Sequence, residues 1–257
     1  MRRLLGWLFV IALAVTLTVC VFLPASWLGT IVERQTGGRL TLGDAQGTLW
    51  NGSAFVGGAP GEGGSVTPLL PGRFAWRLSP LVLVGRVDMQ LENPQALAQP
   101  VQLTGSWSSW QVSAGQLLLP AEGLAGLGAP LNTLVPSGVL RLSWDRLDLT
   151  RQPNSVAVTG RTILTMSDMG SRMAPIKPLG SYEMVMDWRG QQAELVLRTV
   201  RGALLLSGNG TLQNGRLRFS GQASAAEGYE ETLGNMLNLL GQRRMVNGKN
   251  IIALEFR

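Results

Sequence analysis

Few side chains in this sequence could carry out chemistry. Its 257 residues include no histidine and a single cysteine, Cys20. That removes Ser-His-Asp and Cys-His nucleophile systems, His-containing metal sites and thiolate clusters. No G-x-x-x-x-G-K-[ST] or G-x-G-x-x-G run offers a loop to cradle phosphate. Carboxylate chemistry is what remains, because two acids facing each other across about 5–10 Å suffice for a glycosidase. The sixteen Asp and Glu residues nominate no such pair. They are scattered, and those such as Glu183 and Asp187 alternate with apolar residues as on a solvated strand face. The expectation is a protein that is not an enzyme, with no catalytic residue, no metal site and no cofactor.

The elements that would position any site begin with the stretch 4–23. It is apolar apart from Gly6, Thr16 and Thr18, carries no charge, and follows Arg2 and Arg3. About 20 such residues in a helix cross the roughly 30 Å hydrocarbon core, where every backbone amide must be paired within the segment. Two arginines ahead of the run favour a cytoplasmic N-terminus. The sequence therefore predicts a cytoplasmic tip at 1–3, a transmembrane signal-anchor helix at 4–23, a juxtamembrane helix at 24–38 and a periplasmic β-rich domain at 39–257. Leu4, Leu5, Trp7, Leu8, Phe9 and Leu23 are the candidate anchor residues, and Trp27 suits the water–lipid interface. The apolar core exceeds the roughly 7–15 residues of a cleaved signal peptide, and Pro24 suits cleavage after Ser26 poorly, so the anchor is expected to stay. Cys20, preceded by Thr18 and Val19, lacks the small residues of a lipoprotein site and reads as an apolar residue of the span.

Beyond the anchor, 25–35 fits a short amphipathic helix ended by Gly37-Gly38, and from there the hydrophobic period is mostly two. Phe74, Trp76 and Leu78 oppose Arg73, Ala75 and Arg77. Leu140, Leu142 and Trp144 oppose Arg141, Ser143 and Asp145. Tyr182, Met184, Met186 and Trp188 oppose Glu183, Val185, Asp187 and Arg189. Such alternation places one side-chain set on each face of an antiparallel sheet. Turn residues punctuate the segments at Asn93-Pro94, Gly208-Asn209-Gly210, Asn214-Gly215 and Asn247-Gly248. At Trp144 the alternation slips, and Asp145-Arg146 reads as a bulge or a bend.

Three stretches rich in Gly and Pro interrupt this pattern. Residues 57–72 read as a surface loop and 120–138 as a packed segment with a short helical turn through Leu124, Leu127, Leu131 and Leu134. Residues 167–180 read as a mobile flap or as core filled by Met169, Met173 and Ile176. Residues 225–240 carry Leu233, Met236, Leu237 and Leu240 at helical spacing, with acids at the start, Gly241 as a stop and Arg243-Arg244 just past it. A last strand is expected over 249–257. The predicted fold is mainly β: one large curved antiparallel sheet, shaped as a groove or half-barrel, with a C-terminal amphipathic helix packed on it. Trp50, Phe74, Trp76, Leu78, Trp144, Met184, Met186 and Trp188 are the candidate lining of its apolar face.

Charge and cysteine usage bound the partners. Arg2 and Arg3 supply two of the six net positive charges. The rest are spread singly along the strands, which is not the clustered basic face of a nucleic-acid binder. With its one thiol in the span, the body has no disulfide and must rely on a core. Gly47-Thr48-Leu49-Trp50-Asn51-Gly52 recurs as Gly210-Thr211-Leu212-Gln213-Asn214-Gly215, which is either coincidence or a trace of two related β meanders.

The basic start and anchor, Gly47-Thr48-Leu49-Trp50-Asn51-Gly52 and Trp76-Arg77-Leu78-Ser79-Pro80-Leu81 together resemble type II secretion system protein N. So do Leu131-Asn132-Thr133-Leu134-Val135-Pro136-Ser137-Gly138, Trp144 and the terminal Leu239-Leu240-Gly241-Gln242-Arg243-Arg244. The resemblance covers nearly the whole chain in order. It implies an accessory inner-membrane component of the Gram-negative machine that exports folded proteins from the periplasm, partnered by other secretion components. It supplies no catalytic residue. A shorter stretch, 207–221, is similar to the β repeats of AsmA-like envelope proteins, which build curved sheets with an apolar groove. The sequence thus supports a protein that docks on secretion components, a module that binds lipid or an acyl chain, and, with no acids to nominate, a carboxylate-based hydrolase.

Overall fold

The computed structural model describes residues 2–59, 66–127, 135–153, 155–172, 174–213, 216–240, 242–246 and 249–256. Helix α1 spans Arg2–Val21 and helix α2 spans Ser26–Gln35. The strands are β1 Leu40–Gly47, β2 Asn51–Gly58, β3 Thr67–Leu78, β4 Arg86–Glu92, β5 Val101–Ser106, β6 Ser109–Val112, β7 Gly115–Pro120 and β8 Pro136–Trp144. They continue as β9 Leu147–Gln152, β10 Ser155–Ser171, β11 Gly180–Gly190, β12 Gln192–Gly202, β13 Leu204–Gln213, β14 Arg216–Ala225, β15 Gln242–Val246 and β16 Lys249–Phe256. Helix α3, Glu230–Leu240, lies between β14 and β15. All sixteen strands join one open antiparallel sheet with β1 at one edge and β15 at the other.

The centre of the sheet is a long kinked hairpin. Strands β6 and β9 pair Ser109 with Thr150 and Val112 with Leu147, and β7 and β8 continue the same register from Gly115 with Trp144 to Pro120 with Val139. The slip at Asp145-Arg146 is therefore a bend, and both strands make it together, at 113–114 and 145–146. The indole N–H of Trp144 donates to the Ser113 carbonyl across it (2.9 Å). Both β8 and β9 then pair with the 17-residue β10.

Two sharp bulges share one construction. Asp44 in β1 and Asp168 in β10 adopt left-handed backbone conformations, φ 48° and 49°, which Asp tolerates better than most residues. Each carboxylate meets an arginine two strands away, Asp44 with Arg73 and Asp168 with Arg201. A serine on the strand between joins each pair: Arg73 donates to Ser53 Oγ (3.2 Å), and the Asp168 N–H donates to Ser181 Oγ (3.0 Å).

Among the described residues, burial is divided among three small cores. Ala25 at the start of α2 packs with Ala54 and Trp76. Phe74 gathers Ala96, Leu97 and Val101. On α3, Leu233 and Leu237 stand one turn apart and close on Ala223 and Ile252; each such burial contributes about 1.5–3 kcal/mol. Glu230 and Glu231 in the first turn of α3 oppose the helix dipole.

Several expectations change. Among the described residues no helix is long and apolar enough to cross a membrane. The side chains of Leu4, Leu5, Leu8 and Phe9 in α1 lie outside the described set. Of the loop expected over 57–72, the described residues are mostly strand, since β2 runs to Gly58 and β3 starts at Thr67; residues 60–65 lie outside the described set. Pro68 and Pro71 sit where the β2–β3 register jumps, a place where a missing N–H is tolerated. The turn expected within 120–138 is a 3-10 helix, Ala121–Leu127; Leu131 and Leu134 lie outside the described residues. Residues 167–171 complete β10 rather than a flap, and Ile176 packs against the C-terminal core, while Met173 lies outside the described residues. Helix α3 starts at Glu230, five residues later than expected, because β14 continues to Ala225 and Gly228 turns the chain at φ 85°. Gln242–Val246 forms an extra strand. The two Gly-Thr-Leu stretches are not equivalent: Thr48-Leu49-Trp50 is a turn between strands, whereas Thr211-Leu212-Gln213 is strand, and Asn214-Gly215 lies outside the described residues.

Tyr182 reports on the inner packing. Its hydroxyl donates to the Leu204 carbonyl (3.0 Å), and burial pushes its pKa up to about 12. The folded protein holds this proton more tightly than an unfolded tyrosine of pKa about 10. The contribution to stability is full below pH ~10 and is lost as pH rises towards 12. A tyrosinate absorbance titration is expected to show a step near 12 that Tyr182→Phe removes. The same substitution is expected to cost about 1 kcal/mol in urea unfolding from the lost hydrogen bond.

Candidate functional site

Directly opposed residues in an antiparallel pair share a face, so the registers can be followed across the sheet. Leu42 opposes Val56, Ala54 opposes Phe74, and Trp76 opposes Leu91. Leu91 opposes Val101, Leu103 opposes Val112, and Val112 opposes Leu147. Through β10 the same face reaches Trp144 at Thr162 and Met184 at Leu164. It continues through Leu197, Gly208, Leu212 and Leu217 to Phe219, and on β16 to Leu254 opposite Gly221. One apolar face therefore runs without interruption from β1 to β16.

Seven of the eight candidate lining residues lie on that face. Phe74 and Trp76 are buried in the first two cores. Leu78, Trp144, Met184, Met186 and Trp188 are half-buried and line its open part. Trp50 is the exception: it sits in the turn between β1 and β2, where its indole N–H donates to the Cys20 carbonyl (2.7 Å). The other indoles are also pinned, Trp76 to the Leu49 carbonyl (3.0 Å) and Trp188 to Thr162 Oγ1 (3.0 Å). A buried ring of this kind costs little once its N–H has a partner.

Glycines make room for rings that lie flat on the sheet. A Cβ on Gly52 would meet the Trp76 ring at 2.6 Å, and one on Gly221 would meet the Phe219 ring at the same distance. Gly115 stands in the same relation to Trp144. The aromatic lining is thin as a result. Beside Phe219 lies a groove of about 1070 Å³ bounded by Gly210, Leu217, Arg216 and Arg218.

The opposite face is charged and paired. Arg161 and Asp187 are directly opposed and bonded (2.7 Å), which lowers the Asp187 pKa and raises that of Arg161. Arg198 pairs with Glu183 (2.6 Å) and Arg189 with Glu194 (3.5 Å). These exposed pairs contribute little to stability individually, but they hold polar atoms away from the apolar face. Among the described residues no group of three or more Cys, Asp or Glu could hold a metal ion.

Of the anchor candidates, the Leu23 carbonyl accepts from the Leu49 N–H (2.8 Å), and Trp7 and Trp27 are exposed. Two features escaped the sequence reading. The paired bulges leave no periodic signal, although Asp beside Gly43 and beside Ser167 marks both. The 3-10 turn Pro80–Val84 was signalled only by a short Pro-led apolar run.

The class defined by this geometry is an open, all-antiparallel sheet with one apolar and one ion-paired face. The chain belongs to the type II secretion system protein N family, whose family model matches residues 38–250. That match runs from just before β1 into the start of β16 and ties the chain to type II secretion and the cell envelope. No curated protein and no solved structure matches it.

The flat-ring packing is testable at the central kink. Gly115→Val is expected to cost about 1–3 kcal/mol by overpacking against Trp144. In a urea double-mutant cycle, adding Trp144→Ala is expected to recover part of that cost rather than sum with it.

Proposed function

We propose that the chain is an accessory, non-catalytic component of the type II secretion apparatus, anchored in the inner membrane by α1 with its N-terminus in the cytoplasm. The sheet stands in the periplasm and contributes to export of folded proteins by docking on other secretion components. The observation that carries this reading is the family match, which covers the sheet itself. The support for the anchor is the sequence itself: the uncharged apolar run 4–23, most of it held in α1, would as one continuous helix extend about 30 Å, the thickness of a hydrocarbon core. Edge strands β1 and β15 offer backbone groups that a partner strand can pair with. Deleting residues 1–26, with export kept through a cleavable signal, is expected to preserve the sheet's circular dichroism and lower secretion. Unchanged secretion would reduce the anchor to an address. Affinity capture from membranes is expected to recover secretion subunits, and a preparation without any would sink the docking reading.

A second reading is favoured by the burial on the apolar face. Leu195 is 6% exposed, although among the described residues β12 has β11 and β13 as its main neighbours. On a flat sheet such a side chain would stand open, and its burial supports a sheet whose neighbouring strands curl towards it. In this reading the curled sheet is a trough that takes lipid or an acyl chain along Met184, Met186 and Trp188. A photoreactive fatty acid incorporated in vivo is expected to label the peptide containing these residues. Labelling confined to α1 and α2 would count against the trough.

A further inference from the structure

We propose that the sheet has a second membrane contact: the 3-10 turn Pro80–Val84, together with Trp107, sits in the lipid–water interface beside α1. The inference rests on the reading of α1 as a membrane anchor. Its starting observation is a cluster of exposed apolar side chains. Leu81, Leu83, Val84 and Trp107 are 47%, 56%, 78% and 54% exposed. Single exposed apolar residues are ordinary, but a contiguous group marks an interaction surface.

The cluster is held in place. Ser79 Oγ accepts the Leu81 N–H (3.3 Å), and Gly85 ends the turn at φ 97°. The Trp107 indole N–H donates to the Val82 carbonyl and so fastens the tip of the β5–β6 hairpin onto the turn. Three apolar side chains are thereby presented outward on a fixed support.

Hydrogen bonds also place the cluster at the end of the sheet where α1 joins. The Trp50 indole donates to the Cys20 carbonyl near the end of α1 (2.7 Å), and the Trp50 carbonyl accepts from Leu78 N–H (2.7 Å). Leu78 and Ser79 lead directly into the turn. Phe22, 67% exposed, and Trp27, 60% exposed, lie at the same junction. The apolar residues at this end therefore belong to two separate parts of the chain, one continuous with the proposed anchor and one not.

Charge around the cluster suits an anionic surface. Arg86, one residue past the turn, is exposed, and the Arg151 N–H donates to the Ser108 carbonyl next to Trp107 (2.8 Å). The facing acid is Asp88, whose carbonyl accepts from the Ser79 N–H (2.8 Å). Tryptophan with flanking arginine is the side-chain mixture favoured at lipid headgroups. A protein partner would also bury the apolar residues, but only a bilayer would have to lie beside α1.

The test uses the full chain in phosphatidylethanolamine–phosphatidylglycerol vesicles. Cys20, the one cysteine, is replaced by Ser, and an environment-sensitive fluorophore is attached at Val84→Cys or, as control, at Val196→Cys on the charged face. The label at 84 is expected to shift to the blue and lose most of its emission to nitroxide-bearing lipid, while the label at 196 does neither. A chain that resists alkaline carbonate with label 84 still in water overturns the inference and leaves the anchor standing. A chain washed out by carbonate overturns the anchor reading and the inference with it. Label 84 shielded from aqueous quencher only when secretion subunits are present assigns the cluster to a protein and also overturns the inference. If Val84→Cys loses the sheet's circular dichroism, Leu83→Cys carries the same label and is judged by the same outcomes.

Discussion

Everything else in this structure depends on keeping the side-chain alternation in phase across sixteen strands. A one-residue slip in any pair would carry the rest of that strand's apolar set to the charged face. The sheet nevertheless bends, and it does so by steps that preserve the phase. At the central kink the apolar set advances by three residues on both partners, Val112 to Gly115 and Leu147 back to Trp144, and these remain directly opposed. At the first Asp bulge the set passes from Leu42 to Ala45, and both pack against the core of Trp76. The Asp–Ser–Arg contacts span three strands at each bulge, so the extra residue is held on the polar side.

The same constraint explains what could be read in advance. Segments such as 74–78 and 182–188 alternate cleanly because nothing interrupts their pairing, and their residues lie on the face expected of them. The slip at Trp144 was visible, but its meaning depended on a partner strand 30 residues away in sequence. Gly- and Pro-rich segments misled for a definite reason. Pro68, Pro71 and Gly170 resemble loop residues, yet they occupy places where the ladder is already broken or where a ring or neighbouring strand needs room. The placement of Trp50 was also beyond the sequence pattern. Its neighbours suit a strand face, but its indole hydrogen bond draws it to the end of α1. The repeated Gly-Thr-Leu stretch shows the converse, since identical residues become a turn in one place and a strand in the other.

The two faces and two ends are physically different, and that difference bears on how such a sheet could work in an envelope. Cross-strand ion pairs keep one face in water. The other face is covered by α2 near β1 and by α3 on β14 and β16. In the middle, the Trp144 ring lies close over Gly115.

Direction along the strands adds the last step. Chain turns at 48–50, 79–85 and 107–108 share the end that joins α1, while the 3-10 helix Ala121–Leu127 and helix α3 sit at the opposite end. At roughly 3.3 Å per residue, the 17 residues of β10 separate those ends by up to about 55 Å. If α1 lies in the bilayer, as proposed, one end of the sheet would stand at the lipid and the other would be held well out from it. A rigid sheet fixed in this way would need no catalytic group to contribute to export, because its effect would be to hold a docking surface at a set height above the membrane.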